Sequence, residues 1–178
     1  PYTWPPELRD EVEAAAGGYV LDVEGFRSED KEALLDRIRE KTRKHFRVAR
    51  HLLRTKPWDF FAMVEMGVDR IHHGFWRFVD PEHPEYRAGN PFEDRVLAYF
   101  RELDAELGEL LSLLPAEATV LVLSDHGARA LHGCFCFNDW LIERGYLVLH
   151  ERPKAATPLT SSMIDWRRTR AWGEGGYY

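Results

Sequence analysis

Cysteine is nearly absent from this chain of 178 residues: Cys134 and Cys136 are its only two. Two thiols cannot build a disulfide framework, and a structural zinc site would need two more soft ligands than exist here. The alternation in GCFCFND predicts a strand with both thiols on one face, a buried inert pair, with a metal or redox site as the alternative. Long apolar runs are missing too. None approaches the roughly 20 residues of a membrane span, and no signal-peptide pattern opens the chain, so the expected location is the cytoplasm. The first residue is Pro1 rather than methionine, so the natural start is expected to lie upstream. Basic excess is lacking as well, since 24 Lys and Arg against 30 Asp and Glu leave a net charge of −6. That argues against nucleic acid as the main partner. Internal repeats and low-complexity tracts are also absent.

What is present is a globular composition, 44% hydrophobic and 30% charged, enough for one domain with a core. PYTWPPELRDEVEAAAGGY reads as an extended opening, a short helix and a Gly-Gly stop. Ser28 is a potential N-cap for a long helix through about Lys56, with Leu34, Ile38, His45, Ala49 and Leu52 at helical spacing and Pro57 as the stop. Arg43, Arg47, Arg50 and Arg54 share one face of it, read as a solvated surface with an RNA-binding stripe as the alternative. WDFFAMVEM (58–66) has strand length. A second helix is predicted from about Phe92 to Leu114, on the apolar stripe Val96, Phe100, Leu103, Leu107, Leu110 and Leu114, stopped by Pro115. Residues 119–123 read as a buried strand. Asn138 is the expected N-cap of a short helix that Gly145 ends, before a strand at 146–149. Strands alternating with helices predict an α/β fold, a three-layer sandwich with a largely parallel sheet, incomplete in this chain.

In open parallel sheets ligands bind beyond the carboxyl ends of the strands. Asp125 and His126, in VLVLSDHG, follow one predicted strand; Asp69 and His73, in VDRIHHGFW, follow another. If DRIHH is helical, Asp69 and His73 stand at i and i+4 on one face, with His72 a competitor at i+3. Two carboxylates and two imidazoles form the mixed O/N donor set that suits zinc, manganese or iron. Two such ions about 3.5–4 Å apart can clamp the attacking and leaving oxygens of a phosphoryl transfer. The alternative is a polar turn, in which Asp125 caps the following backbone and Gly127 takes a positive φ. FVDPEHPEYRAGN, directly after the first cluster, is an ordinary surface loop or a lid.

SDHG after an apolar run, preceded by D-x-x-x-H, resembles the alkaline phosphatase superfamily, and within it the type I phosphodiesterase/nucleotide pyrophosphatase branch. The likeness extends through WDFFAMVEMGVDRIHHGFWRFVDPEHPEY, RELDAELGELL, FNDWLIERGYL and IDWRRTRAW. It implies an alkaline phosphatase-like fold and two divalent metal ions, zinc foremost. Asp125 and His126 would hold the ion that activates the nucleophile, and Asp69 and His73 the other. Val68 and His72 stand where that family has a proline and a glycine. A further metal-binding aspartate and a Thr or Ser nucleophile are implied upstream, and a third histidine beyond SDHG; His83, His132 and His150 are candidates for it by default only. Residues 1–178 are therefore expected to be a partial catalytic domain, inactive or nearly so alone, whose parent hydrolyses phosphodiester, pyrophosphate or phosphomonoester bonds of small molecules. A sulfatase, a phosphoglycerate mutase-like enzyme and a non-catalytic metal-binding or docking module are the rivals. No chemistry follows for Trp166 and Arg170.

Overall fold

The computed structural model describes residues 2–25 and 28–174. Two compact units divide the chain, Pro1–His132 and Gly133–Tyr178. The first holds four helices: α1 (Leu8–Ala16), α2 (Lys31–Thr55), α3 (Gly67–Val79) and α4 (Glu93–Leu111). The second holds α5 (Phe137–Glu143) and a 3₁₀ turn at Ser161–Met163.

The end of α1 and the start of α2 each have a local reason. Gly17, with φ of +67°, ends α1 in the left-handed conformation that glycine adopts without a Cβ penalty. The cap of α2 is Asp30, whose carboxylate accepts the Ala33 N–H at 3.1 Å; Ser28, the expected cap, instead accepts the Asp30 N–H. Asp30 wins because it is one residue before the first helical turn, within reach of its free amides. In α5 the expected cap Asn138 lies inside the helix, and its side-chain amide pairs with both backbone polar groups of Gly173.

The long helix α2 packs against α1, α3 and α4. Leu34, Leu35 and Ile38 of α2, Ile71 and Phe75 of α3, and Val96 and Tyr99 of α4 form the principal core. The arginine face of α2 is largely the exposed surface the sequence predicts: Arg43, Arg47 and Arg54 are exposed, and Arg50 is largely covered. Arg43 pairs with Glu102 of α4, Arg50 with Glu106 and Glu109 of α4, and Arg47 with Glu40. Arg43 and Arg50 thus tie α2 to α4, while Arg47 pairs within α2.

The predicted three-layer α/β sandwich with a parallel sheet is overturned. Among the described residues there is no sheet, only an isolated antiparallel bridge between Leu149 and Ile164. The predicted strands at 58–66 and 119–123 have no regular secondary structure. Apolar sequence alone does not make a strand, because its backbone groups must be answered by a neighbouring ladder. Without one the side chains stay in solvent: Leu121, Val122 and Leu123 are 77%, 78% and 85% exposed, and Phe60 is 84% exposed. The predicted strand at Cys134 and Cys136 meets the same fate, and both thiols are exposed rather than buried.

In the second unit, Leu141, Leu147 and Ile164 make a small core. Residues 146–150 and 163–171 run together through bonds such as Asp165 N–H to the Val148 carbonyl at 2.8 Å and Arg170 N–H to the Tyr146 carbonyl at 2.7 Å. Trp166 stands edge-on to Trp172 at 4.7 Å. Trp166 is 45% exposed, and Arg170 joins this unit through its backbone N–H.

Candidate metal-binding site

The apolar face of α3 is anchored in the core by Ile71, Gly74 and Phe75, and this anchoring orients its opposite, polar face. Asp69 in the first turn and His73 one turn later share that face, with His73 Nε2 3.4 Å from Asp69 Oδ1. The loop Ser124–Gly127 reaches the same oxygen. His126 Nε2 lies 3.9 Å from Asp69 Oδ1 and 3.8 Å from Asp125 Oδ1. Residues that are 57 positions apart in sequence (69 and 126) therefore meet within the first unit.

Asp69 is held from behind. Arg70 donates to its other oxygen, Oδ2, at 2.7 Å, and the same guanidinium forms a two-pronged pair with Asp22. Forked pairing of this kind fixes orientation as well as charge. Oδ2 is thereby engaged and Oδ1 faces the imidazoles. The Arg70 hydrogen bond holds the Asp22 carboxyl below its ordinary value, against partial burial. Neither Asp22 nor the orienting role of Arg70 was read from sequence; the only signal was the adjacency of Arg70 to Asp69.

The histidines separate by environment. His72 turns to the aromatic side, edge-on to Trp76 at 5.1 Å and near Phe100 at 6.4 Å. Burial there lowers its pKa, with Asp69 opposing. His126 is raised instead, first by the Gly127 carbonyl 2.9 Å from its Nδ1 and then by Asp125. When that nitrogen carries the proton, Nε2 keeps the free lone pair toward Asp69 in the neutral ring. Ser124 donates its hydroxyl to the His126 carbonyl.

The polar-turn alternative is present in part. Asp125 Oδ1 accepts the His126 N–H at 3.1 Å, whereas Gly127 is not among the glycines with positive φ. Asp125 is also the most open of the four, with 90% of its side chain exposed. Among the described residues no three His, Cys, Asp or Glu side chains stand in a ready ligand arrangement. The donor types nevertheless fit a divalent cation. Two donors bonded at about 2.0–2.1 Å to one tetrahedral ion stand about 3.3 Å apart, and Asp69 Oδ1 and His73 Nε2 are 3.4 Å apart.

The other histidines lie elsewhere. His83 accepts the Glu85 N–H in its own loop at 3.1 Å, His132 is exposed, and His150 belongs to the second unit. Asn90 pins the loop after α3 by donating to the carbonyls of Phe78 and Arg87.

A family model for type I phosphodiesterase/nucleotide pyrophosphatase matches residues 1–174. The chain belongs to this family of phosphoric ester hydrolases. No curated protein and no solved structure matches it. No helix among the described residues is long and apolar enough to cross a membrane.

Proposed function

We propose that this chain carries part of the centre of a metal-dependent hydrolase acting on phosphodiester, pyrophosphate or phosphomonoester bonds of small molecules, with Asp69, His73, Asp125 and His126 as ligands of divalent ions. The observation that supports it is the meeting of two imidazole nitrogens at Asp69 Oδ1, 3.4 and 3.9 Å away, from separate segments of the chain. A divalent ion bound there supplies a Lewis acid for a phosphoryl oxygen and lowers the pKa of a hydroxyl nucleophile. Zinc suits the donor set, and manganese or iron are compatible with it.

The chain's own residues do the positioning. Arg70 holds Asp69 by Oδ2 and leaves Oδ1 for the cation. The Gly127 carbonyl fixes the ring of His126, as outer partners of metal-bound histidines commonly do. Asp125, exposed beside His126, adds the negative charge that draws a cation to the loop. These residues hold and orient; none of them is assigned the attack on phosphorus.

Calorimetric titration of the full chain with zinc and with manganese tests the reading, with Asp69→Ala and Asp125→Ala alongside. Saturable binding that is lost in both variants is expected. Binding that survives both substitutions, or no heat at millimolar metal, would favour the rival non-catalytic docking module.

A further inference from the structure

We infer that Glu65 is a positioning residue for this site: its buried carboxylate takes the Gly67 amide that opens α3, and so holds the first helical turn, which carries Asp69. The inference rests on the reading that Asp69 and His73 hold a cation. Its geometry lies outside the ligand cluster. Glu65 Oε1 accepts the Gly67 N–H at 2.6 Å and the Thr42 hydroxyl at 3.1 Å, with Lys41 Nζ 3.6 Å away. His45 Nδ1 approaches Oε2 to 3.5 Å without hydrogen-bond geometry, and that oxygen is buried with no donor. Lys41 itself is 1% exposed. Three residues of α2 thus fasten one carboxylate, and that carboxylate fastens the start of α3.

Met66 offers no side-chain cap, and the residues before it have no regular structure that would fix a register. The first amides of a helix lack intrahelical partners and carry its positive dipole end, so a carboxylate there is favoured twice. The first turn matters because it carries Asp69: a frayed start would release that carboxylate, while Ile71, Gly74 and Phe75 hold the turns beyond it in the core. Gly67 is part of the same device. A Cβ there would lie 2.4 Å from Glu65 Oε1 and 2.6 Å from Thr42 Oγ1, so the absence of a side chain lets the carboxylate approach.

A purely structural role, neutralising Lys41, makes a different prediction. The test therefore removes that cation first and compares Lys41→Met/Glu65→Gln with Lys41→Met/Glu65→Ala in the full chain. Glutamine keeps an acceptor for Gly67; alanine does not. The readouts are amide hydrogen exchange at residues 67–70 and cobalt(II) binding followed by its visible absorption. The glutamine variant is expected to keep both properties of Lys41→Met. The alanine variant should exchange at least about tenfold faster at those amides and bind cobalt about 10- to 100-fold more weakly. Equal exchange and equal cobalt affinity in the two would overturn the inference. If the alanine variant does not fold, Glu65→Asp in the same background, one methylene shorter, replaces it with the same expected direction. Should Asp69→Ala bind cobalt as the unaltered chain does, the metal reading falls. Exchange at Gly67 would still decide whether Glu65 sets the start of α3.

Discussion

At the scale of single residues, the same substitution should have opposite effects at two helical glycines. Gly67→Ala places a Cβ 2.3 Å from the Tyr99 hydroxyl, 2.4 Å from Glu65 Oε1 and 2.6 Å from Thr42 Oγ1. Alanine normally favours a helix over glycine by about 1 kcal/mol, but overpacking against groups held in a network costs about 1–3 kcal/mol. Those groups are anchored: Tyr99 is 1% exposed, and burial pushes its hydroxyl pKa well up. Overpacking should win, and Gly67→Ala should lower stability by about 2 kcal/mol. Gly108 in α4 has nothing within 4 Å of the equivalent position. Gly108→Ala should therefore raise stability by about 0.5–1 kcal/mol. Urea midpoints of the two variants test this, and a stabilised Gly67→Ala would show that the network yields. The site is legible at this scale only in part. Asp69 and His73 follow from i, i+4 spacing, and SDHG marks Asp125 and His126. The supports at Asp22 and Lys41 come from positions far away in sequence, and Glu65, four residues before Asp69, lies in the run the sequence reads as a strand, so no local pattern announces these partners.

At the scale of elements, the helices other than α3, which the sequence offers only as a possible turn at DRIHH, were legible and the strands were not, for one reason. A helix answers its own backbone from residues four positions away, so periodicity and stops suffice: α2 ends before Pro57 and α4 before Pro115. A strand depends on a partner, and Val120–Leu123 has none among the described residues. Helix stability in turn comes from tertiary packing more than from propensity. The centre of that packing is the face of α2 that meets α3 and α4. Ile38 is fully buried there, whereas Leu97 of α4 is 47% exposed. Ile38→Ala should cost about 2–5 kcal/mol, the transfer of its methyl groups plus the cavity left behind. Leu97→Ala should cost under about 0.5 kcal/mol, as at other surface positions. The contrast should appear in equilibrium unfolding followed by far-ultraviolet circular dichroism. Equal losses would mean that α4 packs by a face other than the one carrying Val96 and Tyr99.

At the scale of the whole molecule, ionic ties between elements set the response to acid. Asp22 is held below its ordinary pKa by Arg70, and Glu102 by Arg39. Burial opposes ionisation of Glu65, yet His45, Lys41 and the Gly67 amide bring it below its ordinary value. A carboxyl whose folded pKa is depressed binds fewer protons in the folded than in the unfolded state. Its contribution is complete above its unfolded value, near 4.5 for a glutamate and 3.8 for an aspartate. The contribution is lost as pH falls through the lower folded value. Stability should accordingly fall away below about pH 4. Lys41 acts at the other limb. Burial lowers its pKa while Glu65 opposes, so the unfolded chain binds the extra proton and stability should rise as pH climbs toward 10.5, its ordinary value. Salt separates the carboxyls, because screening weakens exposed pairs far more than buried ones. Glu102 is 38% exposed and Glu65 13%. Arg39→Met should make the acid limb shallower at low salt and have little effect at 0.5 M salt, where the Debye length is only about 4 Å. Glu65→Gln should flatten the acid limb at both. Urea midpoints measured from pH 3 to 7 at the two salt concentrations would decide, and an acid limb as steep in both variants as in the unaltered chain would show that these inter-helix ties do not carry the acid response.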